Sequence, residues 1–310
     1  MKHRKTDAPA CILCIDAMLR RQRTILTLLS TVGGSLATTQ LQKFLFLLKQ
    51  ETFLHSDSVF YEFLPYKFGP YSFAANREVE ALVAYGYAKE SSSGTSKVLS
   101  ISPLGRREAR HEAANTARAI RAILSKYGQM SLRRLMKDIY CRYPWYSTQS
   151  EVRDLLGEAA PTLITAPIAV YTIGYETYSV DSFFDRLLRI GIRRVIDVRS
   201  NPVSRKFGFA RSSMSSIAGK LGLDYSHRPA LGIPSAKRRG VESSAEFRQL
   251  FGYYERQILT AKRDEINEVA GLMKETPSVL VCVEKEPVDC HRSRLATQVA
   301  ADSCLKIVHL

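Results

Sequence analysis

The segments IAVYTI at 168–173, RVIDV at 194–198 and SVLVCV at 278–283 decide the fold of the C-terminal half. Each is a short apolar run rich in β-branched residues, without the polar alternation of a half-solvated strand. Such runs read as strands buried on both faces, the pattern of a parallel sheet. Helical periodicity separates them, at 180–190, 212–221, 243–274 (broken near Asp264) and 292–302. Two further short strands are expected at 223–227 and 304–310. Strand and helix in alternation specify an α/β domain with a doubly wound, mainly parallel sheet over residues 167–310.

Upstream the pattern changes. A helical stretch covers 12–29, and Gly33-Gly34 breaks it. Thr38-Thr39 can cap a second helix, whose Leu41, Phe44, Leu45 and Leu48 share one face. Phe60–Pro65 reads as extended, Gly69-Pro70 as a turn, and Ser72 as the cap of a helix to Tyr85 that Gly86 closes. Tyr87–Glu90 and Lys97–Ile101 then flank a polar tip, Ser91–Ser96. Three helices followed by a hairpin is the order of a winged-helix module, here residues 1–110. Residues 111–166 are expected to be a helical connector, with helices at 113–125 and 130–140 and a proline-bearing linker at 161–167. The aromatic cluster of Tyr140, Tyr143, Trp145 and Tyr146 reads as a packing seam between domains.

The chain has 310 residues and a formal net charge of +15. Residues 1–166 hold 23 basic and 14 acidic side chains, the remainder 22 and 16, so the charge is no detachable tail. A positive field over both halves points to nucleic acid or a nucleotide as partner. Six cysteines make no disulfide framework. No signal peptide and no apolar run of ~18 residues is legible, so the expectation is a cytoplasmic protein without membrane contact. Walker, GxGxxG, HExxH and GxSxG motifs do not occur, which removes the usual support for those enzyme classes.

In a parallel sheet, ligands sit beyond the carboxyl ends of the strands. There this chain places Tyr175 and Glu176, then Asp197, Arg199, Ser204 and Arg205, then His227 and Arg228, then Glu284 and Cys290-His291-Arg292. Arg199, Arg205 and Arg292, with Tyr175 and Ser204, are expected to clamp an anion or nucleotide. Glu176, Asp197 and Glu284 are candidates for acid–base work. Cys290 beside His291 at a helix start is a candidate nucleophile, with an orienting or packing role as the alternative. Lys237-Arg238-Arg239 form a basic loop suited to a phosphate backbone. Cys282, Cys290, His291 and Glu284 are zinc-ligand types, but C-x7-C-H is no standard spacing and Cys282 falls within a buried strand. Cys11-x-x-Cys14 is half a knuckle without a second pair. No metal or cofactor is therefore assigned.

Two resemblances add to this reading. Tyr171–Glu176, Asp197–Pro202 with Ser204-Arg205 and Gly208-Phe209, Leu231-Gly232, and Cys282–Lys285 with Cys290–Arg292 and Leu295-Ala296 resemble the conserved blocks of the domain-of-unknown-function 488 family. That resemblance spans 168–310; it implies an α/β sandwich and leaves the activity open. Lys43–Leu48, Pro65–Ser72, the Leu82…Gly86 helix end and Ser102–Gly105 are similar to the Panacea-like module of SocA-type antitoxins, a resemblance over about 25–110. This implies a small module binding nucleic acid or a protein partner. The leading expectation is an enzyme, a hydrolase or base- or nucleotide-modifying activity, directed to nucleic acid. The alternatives are a DNA-binding regulator that senses an anionic metabolite, and a defence or toxin–antitoxin interaction component.

Overall fold

The computed structural model describes residues 18–94, 96–157, 161–241 and 243–310. The basic start at 1–10, the Cys11/Cys14 pair, the first turns expected of the helix at 12–29, and Thr95 at the hairpin tip lie outside these residues. The elements in chain order are α1 (Arg20–Thr31), β1 (Ser35–Ala37), α2 (Thr38–Glu51), β2 (Leu64–Tyr66), β3 (Gly69–Tyr71), α3 (Phe73–Ala84), β4 (Ala88–Ser93), β5 (Ser96–Ile101), α4 (Pro103–Ala109), α5 (Ala114–Tyr127) and α6 (Leu132–Arg142). They continue as β6 (Val170–Gly174), α7 (Val180–Ile190), β7 (Arg194–Asp197), α8 (Arg211–Lys220), β8 (Asp224–His227), α9 (Ser235–Arg238), α10 (Ser244–Tyr253), α11 (Arg263–Glu275), β9 (Ser278–Cys282), α12 (His291–Ser303) and β10 (Ile307–His309).

The chain divides into two compact units. The first takes residues up to Tyr61 and Ala75–Met130. Its three strands form an antiparallel sheet in the order β1-β5-β4, with Leu36 opposite Leu99 and Glu90 on the other side of Leu99. β1 was not anticipated, because three residues are too few to show periodicity. In α2, Phe44–Leu48 are all buried, so this helix is covered on every side. Ser102 caps α4, accepting from the Gly105 N–H, with Pro103 at the first helical position.

The second unit holds Glu62–Ala74 and Ser131–Leu310. It is larger than the α/β half read from sequence, since 62–74 and most of the expected connector belong to it. Asp181 of α7 explains part of this. Its buried carboxylate accepts from Ser72 Oγ (2.8 Å), the Phe73 N–H (2.6 Å) and the Ala74 N–H (3.1 Å), so a residue distant in sequence caps α3. Trp145 Nε1 donates to Asp185 at 2.7 Å, and Arg189 lies 4.5 Å above the Trp145 ring. This part of the aromatic cluster therefore packs on α7 within its own unit.

The sheet of this unit is five-stranded and wholly parallel, in the order β10-β6-β9-β7-β8. Alternation splits its side chains between two cores. Ile173, Val195, Val279 and Val281 pack with Phe183, Phe184, Leu187, Met214 and Ile217 of α7 and α8. Val170, Ile196 and Leu280 pack with Ile266, Val269, Met273, Leu295 and Val299 of α11 and α12. A helical layer on each face is why these strands read as unbroken apolar runs. The break expected near Asp264 is more gradual: α10 passes into a π-helical turn at Tyr254–Leu259 before α11 begins.

Candidate functional site at the carboxyl edge of the sheet

The side chains at the carboxyl ends of β6, β7 and β9 sort by strand parity onto opposite faces of the sheet. Tyr175 and Asp197 follow Ile173 and Val195 onto the α7–α8 face. Cys282 follows Leu280 onto the α11–α12 face.

On the first face a closed polar knot forms. Asp197 and Arg199 are 0% and 2% exposed. Asp197 Oδ1 accepts from Arg199 Nε (2.8 Å) and Oδ2 from Nη2 (2.6 Å), a bidentate ion pair. Arg199 Nη1 donates to Tyr175 Oη (2.9 Å) and to the Phe209 carbonyl (2.8 Å), and Tyr225 Oη donates to Asp197 Oδ2 (2.7 Å). Tyr175 stacks on Phe209 with centroids 4.2 Å apart. Burial pushes the Tyr225 hydroxyl up, reinforced by the Asp197 charge. Each guanidinium nitrogen of Arg199 already has a partner inside the protein, so the clamp expected of Arg199 is turned inward and organises the β6 and β7 ends. Asp197, held in this pair, is likewise no free base.

On the second face Cys282, Cys290 and His291 are 0%, 1% and 2% exposed. His291 Nε2 lies 3.2 Å from the Val198 carbonyl, an arrangement that takes the imidazole proton to Nε2 and leaves Nδ1 bare. Nδ1 lies 3.7 Å from Cys282 Sγ and 4.0 Å from Cys290 Sγ. Cys290 caps α12, its sulfur accepting from the Arg292 N–H at 3.5 Å. Burial pushes the Cys290 thiol well above its ordinary value. A buried, protonated thiol is not an activated, solvent-facing nucleophile, the candidate role for this position beside an orienting or packing one. His291 has no open face either, with Tyr254 packed edge-on against it.

Glu284 lies between this cluster and solvent. Its Oε2 accepts from Cys282 Sγ at 3.1 Å, and Oε1 is 3.9 Å from Arg238 Nη1. Burial raises its carboxyl, but hydrogen bonds from Cys290, its own backbone N–H and Cys282 outweigh that and hold it below the usual value. Glu176 is exposed and accepts from the Lys285 N–H at 2.9 Å. Arg292 is 1% exposed: Nη1 donates to the Glu284 carbonyl and Nη2 to the Lys285 carbonyl (2.8 Å). Like Arg199 it braces the chain, here the loop bearing Glu284. Arg205 is exposed and Ser204 accepts from the Lys206 N–H.

Of the expected basic loop, Lys237 and Arg238 instead end the short helix α9. Arg238 reaches the rim through Glu284 and bonds the Ile233 carbonyl, Lys237 lies over the Tyr253 ring, and Arg239 follows, exposed. Sequence reasoning missed Lys206, whose Nζ donates to the carbonyls of Glu176 (2.6 Å) and Tyr175 (3.3 Å) and ties the β6 and β7 loops together. It missed Tyr225 and Phe209 as partners of the knot as well. Phe209 carries no polar group to mark it, and nothing local marks a strand tyrosine as a hydrogen-bond donor to a neighbouring strand.

No curated protein matches the chain. Residues 179–299 match the model of the family described as Domain of unknown function DUF488. The match is narrower than the span of the resemblance: it takes in Asp197, Arg199 and the Cys282–Arg292 block and leaves out Tyr175-Glu176. Within the C-terminal half, residues 179–299 are thus similar to the DUF488 family.

Proposed function

We propose that the protein acts on nucleic acid or a nucleotide, with the chemistry at the carboxyl edge of the five-stranded sheet and nucleic-acid contact made by the N-terminal unit. Glu284 carries this reading. It is a half-buried carboxylate held ionised at the rim, backed by a buried thiol–imidazole cluster and facing Arg238. An ionised carboxylate on a braced loop is equipped to take a proton from an attacking water or hydroxyl. Arg205, Arg239 and Lys285 are exposed on the surrounding loops and supply positive charge for a phosphate.

The N-terminal unit contributes through its element order and charge. Helix, strand, helix, helix and a two-stranded hairpin is the winged-helix order, in which the third helix enters a groove. Here that helix carries Arg77 beside Glu78 and Glu80, with Arg77 4.0 Å from Glu80. The free positive charge is instead on α4 and α5. Arg106, Arg107, Arg110, Arg118 and Arg121 are exposed and have no ion-pair partner among the described residues. Backbone phosphate contact by these arginines fits better than base readout by α3.

A regulatory reading has one observation in its favour. Arg199 and Arg292 are spent on internal partners, so the rim is poorer in catalytic anion donors than its sequence implies. The deciding experiment incubates the full chain and Glu284→Gln with duplex DNA, single-stranded DNA, RNA and a nucleotide panel, with and without divalent metal. Products are followed by mass spectrometry and binding is measured in parallel. Turnover by wild type that Glu284→Gln loses without losing binding is the expected result. Binding with no turnover of any substrate overturns the enzyme reading and leaves the regulator.

A further inference from the structure

We propose that Cys282 Sγ, Cys290 Sγ and His291 Nδ1 form a binding site for a zinc-type transition-metal ion, with the Glu284 carboxylate as the fourth, outward-facing ligand. This goes beyond the proposed function but shares Glu284 with it, since a metal-bound carboxylate is free to take a proton only once displaced from the ion. Metal content reads the site without turnover and so separates the two.

The geometry is that of a ligand shell. With Zn–S about 2.3 Å, Zn–N about 2.1 Å and tetrahedral angles, a sulfur–nitrogen edge is about 3.6 Å and a sulfur–sulfur edge about 3.8 Å. The observed sulfur–nitrogen edges are 3.7 and 4.0 Å, and the three donor atoms all lie within 4.8 Å of one another. Glu284 Oε2, 3.1 Å from Cys282 Sγ, stands on the same side. Two soft sulfurs with an imidazole select zinc over magnesium or calcium.

The surroundings suit an ion. A ligating histidine ordinarily donates its other N–H to a carbonyl, which fixes the ring and bares the ligating nitrogen. The Val198 carbonyl does this for His291. Thiolates in a buried place need compensating charge. The ion supplies it, and Cys290 adds its position at the N-terminus of α12, where the Arg292 N–H points at the sulfur. Arg292 braces the 284–285 carbonyls, and the Gly174 backbone packs so tightly on Glu284 that a Cβ there would come within 1.7 Å of the Glu284 carbonyl oxygen. The loop bearing the fourth ligand is thereby held in place. Three ligands are buried and the fourth faces outward, so water or a substrate oxygen can displace the carboxylate, as open catalytic zinc sites require.

The four donor types were legible in the sequence, but their spacing argued against a site because the donors come from the end of β9 and the start of α12. The chain leaves the sheet after Cys282 and returns to the same face at Cys290, a spacing set by the loop.

The test uses the full chain in a Cys11→Ser/Cys14→Ser background, so that metal held by that pair is not counted. The protein is purified without chelator and its metal content measured by plasma mass spectrometry. About one zinc ion per chain is expected, lost in Cys282→Ser and His291→Gln and retained, more weakly, in Glu284→Gln. Cobalt(II) added to the stripped protein is expected to give a thiolate-to-metal charge-transfer band. Should the cysteine variants not fold, thiol alkylation of the folded parent decides the matter. Because both thiols are buried, the comparison is between zinc-loaded and chelator-stripped parent. Cys282 and Cys290 should be alkylated clearly more slowly with zinc, while exposed Cys141 and Cys304 react equally in both. Equal rates for Cys282 and Cys290 in the two forms overturn the proposal. A metal-free protein without the cobalt band, or with a Cys282–Cys290 disulfide, overturns the proposal. So does zinc content unchanged by Cys282→Ser.

Discussion

Arg199 lies two residues after Asp197 and folds back on it, so that both ends of one strand–loop junction are closed by a single buried ion pair. Removing one partner strands the other charge in the core. Arg199→Ala is expected to lower stability by about 3–5 kcal/mol in urea unfolding. The double variant Asp197→Leu/Arg199→Met should lose clearly less, because no unpaired charge remains. Equal losses would mean that the knot's worth lies in its bonds to Tyr175, Tyr225 and Phe209.

Asp181 gives the second unit a pH dependence of definite sign. Burial raises its carboxyl to about 7, against hydrogen bonds from Ala74, Phe73 and Ser72 that lower it. A group whose folded value lies above its unfolded value stabilises the fold fully below the unfolded value, near 3.8, and loses that contribution as pH rises to about 7. Melting followed from pH 4 to pH 8 should show stability falling through this window. Asp181→Asn should flatten that part of the profile.

Gly174 is needed for its missing side chain. A Cβ at this position would meet the Glu284 carbonyl oxygen at 1.7 Å and its carbon at 2.6 Å. Neither atom belongs to a flexible side chain, so β6 and the loop after β9 must separate. Gly174→Ala is expected to cost about 3 kcal/mol in chemical denaturation.

Arg292 is expected to resist replacement by lysine. Its fork reaches two successive carbonyls, at Glu284 and Lys285, and an ammonium on a flexible stem does not reproduce that geometry. Arg292→Lys should lose about 1.5–3 kcal/mol, the worth of a charged hydrogen bond. Hydrogen exchange should show the 284–286 segment opening more often.

Salt dependence tests the basic surface of the N-terminal unit. If Arg107, Arg118 and Arg121 touch phosphates, each alanine substitution should reduce the slope of log K against log salt by about 0.9 for duplex DNA. Equivalent substitutions at Lys237 and Arg239 report on the rim in the same assay. An unchanged slope for all five would remove these residues from the interface.

Local chemistry gave the C-terminal half its architecture in outline. The helix at Val180–Ile190 was legible to the residue and the strands to within a few, because burial on both faces leaves an unbroken apolar signature in each strand; the short helix α9 reads as a loop. Which residue types crowd the carboxyl edge was legible for the same reason, since strand ends are marked by the switch from apolar to polar. Their roles were not. Arg199 and Arg292 look alike on paper to an exposed anion clamp, yet both are buried and paired. Cys282 and His291 are legible as ligand types, but their spacing gives no sign that they meet until β9 and α12 bring them together. Strand order and the return of the chain through Pro287–Asp289 decide those meetings. They follow from which surfaces bury one another across the sheet, a property that no single stretch of chain contains.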